Sequence, residues 1–199
     1  MEVGDRHTFG ELNIAVPGAG MVILIGASSS GKSTFARKHF KPTEIVSSDA
    51  CRAMVADSES AMSASADAFE LLYAIAAARL RNRRLAVIDA TNVRSESRRR
   101  LLEIAGAHEL PAVALVFDLP KTLLLERGRR RRDRRVPEAT ISGQTLALGR
   151  ALPALAEEGY AATFVFNTPE DVDAASVERS HRPPPHRPVR SEPEQDELL

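Results

Sequence analysis

Eight consecutive residues, Gly26-Ala27-Ser28-Ser29-Ser30-Gly31-Lys32-Ser33, fit the pattern G-x-x-x-x-G-K-S without a mismatch. The chemistry such a run serves is the holding of a polyphosphate. Gly26 and Gly31 permit positive φ and let the backbone close on phosphate oxygens. The N–H groups of the loop and of the helix that follows stabilise the anion. Lys32 is placed to reach the β- and γ-phosphates, and Ser33 to offer its hydroxyl to Mg²⁺. Thr34 completes the set expected to bind ATP. The pattern gains its meaning from context: it must follow a buried strand and open a helix. Met21 to Ile25 is a wholly apolar run of the kind buried on both sheet faces, and Lys32 to Phe40 reads as a helix ended by Pro42.

Three further groups could act on what the loop holds. The run Ile45-Val46-Ser47-Ser48-Asp49-Ala50-Cys51-Arg52 puts an acid and a base three apart just after a short strand. In an open parallel sheet, ligands bind beyond the carboxyl ends of the strands, so Asp49 shares an edge with the loop. A carboxylate there can orient an attacking hydroxyl and accept its proton. If a helix begins at Asp49, Arg52 lies one turn on and can pair with a phosphate of the acceptor. The bland alternative is a helix-capping Asp and a surface Arg. Val87-Ile88-Asp89 ends another strand with an acid, so Asp89 is expected to hold Mg²⁺ with Ser33, unless it merely caps the helix at Ser95. Thr91 and Asn92 are weaker candidates for substrate contact. Finally, Glu126 to Arg135 carries seven arginines against two acids. It reads either as a solvated face that meets nucleic-acid phosphates or as a lid whose arginines stabilise the transferred phosphoryl group. On a helix Arg127, Arg131 and Arg134 share a face, which suits two arginines on ATP phosphates. Cys51 has no histidine near it in sequence and reads as a small buried residue.

These residues need a scaffold. Strands are expected at Leu12–Val16 (a weak edge strand), Met21–Ile25, Glu44–Ser47, Leu85–Ile88, Ala112–Phe117 and Ala162–Phe166. Helices are expected over 67–81, 95–107, from Pro120 into the arginine cluster, 138–157, and from Thr168 onward. Thr168-Pro169-Glu170-Asp171 is a capped helix start. Strands alternating with helices of this length imply a parallel sheet covered on both faces: five strands, mainly parallel, in a P-loop NTPase fold with an Arg-rich lid. From about residue 180 the chain turns Pro-rich and acidic, so residues 1–179 are read as the kinase domain and 180–199 as a disordered tail.

The 199 residues are 43% hydrophobic and 27% charged, as in an ordinary globular protein. No run approaches the length needed to span a bilayer, and Met1 to Leu12 lacks the apolar core of a secretory signal. A lone cysteine excludes an intramolecular disulfide and suits a reduced cytoplasmic compartment. The net charge is zero, yet only four of the 27 basic residues are lysines. No Asn-Lys-x-Asp sequence occurs, which argues against a Ras-type GTPase. A small kinase fits the length.

The segments VILIGASSSGKSTFARKHFKPTEIVSSDACR, AVIDATNVRSESRR and LVFDLPKTLLLERGRRRRDRRV resemble the 5′-OH polynucleotide kinase domain of bacterial polynucleotide kinase-phosphatases, which are RNA-repair enzymes. The resemblance spans roughly Glu11 to Arg179. It implies ATP-dependent, Mg²⁺-dependent transfer of the γ-phosphate to a 5′-OH end of RNA or DNA. It implies Lys32 and Ser33 on the phosphates and Mg²⁺, Asp49 as general base, Arg52 on the acceptor end, and Arg127 and Arg131 as lid arginines, with Arg134 a weaker match. It also suggests a homodimer. Metallophosphoesterase and nucleotidyltransferase motifs are absent, so a separate phosphatase or ligase partner would complete a repair. Two other readings compete. One is a small-molecule P-loop kinase acting on a sugar, an antibiotic or, like the zeta toxins, a nucleotide sugar. The other is a regulatory ATP-binding protein, for which Asp49 would be dispensable.

Overall fold

The computed structural model describes residues 12–130 and 136–180. The central layer is a five-stranded, all-parallel sheet of β2 (Met21–Gly26), β3 (Ile45–Ser47), β4 (Ala86–Asp89), β5 (Ala112–Phe117) and β6 (Ala162–Phe166). The order is β3-β4-β2-β5-β6. The helices are α1 (Lys32–His39), α2 (Ser48–Ala56), α3 (Ser65–Arg81), α4 (Ser95–Ala107), α5 (Lys121–Arg130), α6 (Glu138–Leu155) and α7 (Pro169–Ala174). The five expected strands and their parallel sense stand, with ends shifted by at most one residue.

β2 shows why the sheet sits in the middle. All six of its residues are buried. Its side chains alternate between two cores. Met21, Ile23 and Ile25 face Leu72, Leu80, Leu101, Leu148 and Leu155 of α3, α4 and α6. Val22 and Leu24 face Phe35 of α1 and a cluster with Phe117 and Phe166, where Phe35 meets Phe117 edge-on at 5.5 Å between centroids. Each fully buried Ile or Leu contributes about 1.5–3 kcal/mol. A polar residue at Ile23 would forfeit that and be left without a partner, so the strand tolerates no charge.

The structure departs from the sequence reading at the chain's two ends. β1 (Leu12–Pro17) does not join the main sheet. It pairs in parallel with β7 (Ala175–Ser180), Leu12 opposite Ala175 through Pro17 opposite Ser180. The expected last helix is therefore cut to the six residues of α7 before the chain becomes β7. The start of α7 follows the expected chemistry: Thr168 Oγ1 accepts from the Asp171 N–H, and Asp171 Oδ2 accepts from the Thr168 N–H. Ile14, Val16 and Ala175 of this ribbon are buried against the α1 face of the sheet, and that burial holds a ribbon of two strands that would be marginal alone. α6 continues through Pro153 in its last turn, where the proline's missing N–H costs one helical hydrogen bond. Among the described residues, no helix is long and apolar enough to cross a membrane. The calls on residues 180–199 fall, apart from Ser180, outside the described residues.

Candidate active site

A cleft of about 1140 Å³ opens at the carboxyl ends of β2, β3 and β4, under α6. It is lined by Ser28 to Thr34, Asp49, Arg52, Asp89 and Arg127. The topology explains this convergence. From β2 the chain crosses to the β3 edge and returns through β4, then passes to the other side at β5, and ligands bind where the winding changes direction.

The loop is shaped by close approach and by positive φ. A Cβ on Gly26 would lie 2.9 Å from the Phe117 carbonyl oxygen, so no larger residue fits beside β5. Gly31 has φ +95° and precedes α1 without a side-chain cap. Lys32 is buried, and a buried charge must be hydrogen-bonded. Its Nζ donates to the carbonyls of Gly26 and Ala27, each at 2.8 Å, and to Ser30 Oγ at 3.2 Å. The ammonium thus lies inside the concave loop, drawn onto its carbonyl oxygens. Arg127 reaches the same place from α5: a Cβ on Gly31 would be 3.8 Å from its Nη1. Its neighbours do not join it. Arg129 pairs with Glu138 at 2.7 Å and Arg130 with Glu126 at 2.6 Å, both at the surface. Arg131 and Arg134 lie outside the described residues.

Asp49 stands in the first turn of α2, but it does not cap the helix. Ser47 does, its Oγ accepting from the Ala50 N–H. The carboxylate forms an ion pair with Arg52, one turn on. Arg52 is only 4% exposed, and its Nε also donates to the Glu59 carbonyl at 2.8 Å. The acid–base spacing in the sequence therefore marks a direct pair, and neither bland alternative describes it. Burial pushes the thiol of Cys51 up, as an inert core cysteine requires.

Asp89 is buried at the end of β4, opposite Ser47 in the ladder. The helix after it is preceded by Arg94, so Asp89 is not that helix's cap. Asp89 and Ser33 line one cleft. A carboxylate, a hydroxyl and phosphate oxygens make the hard-oxygen set that Mg²⁺ takes, so the residues present fit the ion.

Thr91 and Asn92, the weaker candidates for substrate contact, line the cleft and also brace it, and further contributors carry no sequence signal. Asn92, at φ +48°, donates from Nδ2 to the Leu24 carbonyl at 2.8 Å, and the Gly26 N–H donates to Thr91 O at 2.9 Å. These bonds stitch the Asp89 loop to the strand that carries the phosphate loop. Arg98, 1% exposed, holds it from behind: Nη1 donates to the Asn92 carbonyl at 3.0 Å, while Nε and Nη2 grip both oxygens of Glu158. Burial opposes the charge on Arg98, and the Glu158 carboxylate more than offsets it, raising the guanidinium's pKa. From α6, Gln144 Oε1 accepts from the Ser28 N–H at 2.8 Å. Phe69, whose spacing on α3 reads as core, is half-buried and lines the cleft beside the exposed Met62. Gly128 lets α5 approach: a Cβ there would lie 2.8 Å from Ile141 Cδ1 and 3.4 Å from Ser29 Oγ. Gly128→Val crowds Ile141 Cδ1 and Ser29 Oγ and so disturbs the seat of the Arg127 helix on the loop. The expected outcome is a KM for ATP raised about tenfold, equivalent to ~1.4 kcal/mol, with little change in melting temperature; steady-state kinetics and thermal melts check it.

Comparison with known proteins places this geometry. A family model described as AAA domain matches residues 21–150, more than half of the chain. No curated protein matches. Among solved structures, one of the Pnkp1/Rnl/Hen1 RNA repair complex is similar over 76% of this chain and 49% of its own, at 25% identity and a TM-score of 0.60. The chain thus spans about half the length of that relative. Kti12 of Chaetomium thermophilum with ADP-AlF3 (18% identity, TM-score 0.56, covering 74% of this chain and 88% of that one) shares the fold. So does a sugar kinase of Janibacter sp. HTCC2649 (19% identity, TM-score 0.53, covering 75% and 85%).

Proposed function

The chain belongs to the AAA domain family and has a P-loop kinase fold, and from that premise we propose that it transfers the γ-phosphate of ATP to the 5′-OH end of a polynucleotide. The observation that carries the acceptor is the Asp49–Arg52 pair on the wall of the cleft that holds the phosphate loop. A neutral sugar has no use for a guanidinium there, whereas a nucleotide brings a phosphate next to its reacting hydroxyl. The likeness to a structure of an RNA repair complex supports the same reading, and with it a partner that supplies other steps of end repair.

In this account the phosphate loop and Lys32 hold the β- and γ-phosphates, and Arg127 leans over them from α5. Ser33 and Asp89 would hold Mg²⁺, which would supply positive charge to offset that of the phosphates. Asp49 orients the acceptor hydroxyl in line with the γ-phosphorus. As the new O–P bond forms and the bond to ADP breaks, the hydroxyl proton passes to the Asp49 carboxylate. Arg52 pairs with the Asp49 carboxylate and holds it at the start of α2, facing the cleft. The transition state is loose, so positioning matters more than basicity.

One observation favours a small-molecule acceptor instead: Arg52 is almost fully buried and already held by Asp49 and Glu59. An ADP-release screen separates the two. The polynucleotide reading expects release above background with 5′-OH RNA or DNA oligomers. Release driven by neutral sugars alone would move the assignment to a small-molecule kinase.

A further inference from the structure

The acceptor wall of the cleft extends past Arg52. It is built from α2, α3 and the start of α4, and it includes Met62, Phe69, Arg94 and Ser97. α3 and α4 are fixed to one another by Arg100, which grips both carboxylate oxygens of Glu70 and lies 4.3 Å over the Tyr73 ring. The wall is therefore a formed surface and not a loose rim.

The arginines of this segment divide sharply. Arg98 is held by Glu158 and Arg100 by Glu70, and Arg99 lies 3.7 Å from Glu103 at the surface. Arg94, exposed and lining the cleft, forms no ion pair among the described residues. It sits on the loop after β4, the strand between the phosphate-loop strand and the strand that leads to Asp49. A cation placed there meets whatever extends outward from the acceptor site. Resting on the polynucleotide reading above, we infer that Arg94 binds the second phosphate of the acceptor strand, outward of the one met at Arg52, and makes the enzyme prefer acceptors of two or more nucleotides.

The chemistry distinguishes this from a general basic surface. A single exposed phosphate contact is worth up to about 1 kcal/mol, or about fivefold in binding. On single strands it contributes about 0.7 to the slope of log affinity against log salt. Both quantities report one contact, and neither depends on the hydroxyl chemistry at Asp49.

The test compares a 5′-OH trinucleotide with a nucleoside 3′-monophosphate as acceptors, in wild type, Arg94→Ala, Arg94→Lys and Arg99→Ala. Wild type should favour the trinucleotide. In Arg94→Ala that KM preference should shrink about fivefold, and the salt slope for the trinucleotide should fall by about 0.7. Arg94→Lys should keep most of both, since phosphate accepts a point charge. Arg99, paired with Glu103 at the surface and absent from the cleft lining, serves as the matched control, and its replacement should change neither quantity. An unchanged KM ratio and salt slope in Arg94→Ala overturn the inference while leaving the kinase reading intact. If wild type phosphorylates neither acceptor, the polynucleotide reading falls and this inference with it.

Discussion

Asp49→Asn should lower kcat for phosphoryl transfer by about 10²–10⁴-fold, the usual worth of a positioned general base, while ATP still binds. Asparagine keeps the shape of the side chain and an oxygen for Arg52, but it cannot take the proton. Asp49→Ala is the harsher change, because it also leaves Arg52, 4% exposed, without its carboxylate. A buried charge deprived of its partner costs several kcal/mol, so the alanine variant should lose stability as well as activity. Measuring kcat, the ATP dissociation constant and the melting temperature for both variants separates chemistry from folding. A regulatory ATP-binding protein would retain its function in Asp49→Asn.

The second large effect lies behind the site. Glu158→Ala should destabilise the fold by about 3–5 kcal/mol, a large part of the 5–15 kcal/mol that holds a typical domain. It removes the carboxylate that takes two hydrogen bonds from a guanidinium 1% exposed. Glu158→Gln should cost less, since one acceptor remains. The double variant Arg98→Met with Glu158→Leu distinguishes stability from positioning. Apolar replacement of a buried pair is often neutral, so its denaturation midpoint should recover toward wild type. The hydrogen bond from Arg98 to the Asn92 carbonyl is still missing, however. The Mg²⁺ concentration for half-maximal activity should therefore stay raised, because the loop that follows Asp89 has lost its support. Recovery of both stability and Mg²⁺ dependence would show that the pair acts on folding alone.

The parts legible in the sequence were those with local signatures. The apolar runs of β2 and β5 read as buried strands because every residue in them is buried. The phosphate loop and the terminal acid of β4 were legible because the fold requires residue types at fixed spacing. The unread parts depend on distant partners. β7 escaped notice because Ser176, Glu178 and Arg179 carry little apolar alternation, and its partner β1 lies some 160 residues earlier. Arg98 sits in a Ser-Arg-Arg-Arg run where three arginines look alike; only the fold buries one against Glu158, 60 residues on. Gln144 and Gly128 matter because α5 and α6 lie over the loop, a fact of packing that no spacing encodes. Arg52 shows the converse. Its spacing from Asp49 put it one turn on, on the same helix face, but did not show that Asp49 itself would pair with it or that it would be almost fully buried.

The most direct test of the account is the position of the transferred phosphate. Protein, Mg²⁺ and γ-labelled ATP are mixed with a 5′-OH RNA, a 5′-OH DNA and a 5′-phosphorylated control, with Asp49→Asn alongside. The account predicts label on the 5′ end of the two 5′-OH oligomers, none on the control, and loss of the signal in Asp49→Asn. Hydrolysis of ATP with no label on either oligomer would contradict it.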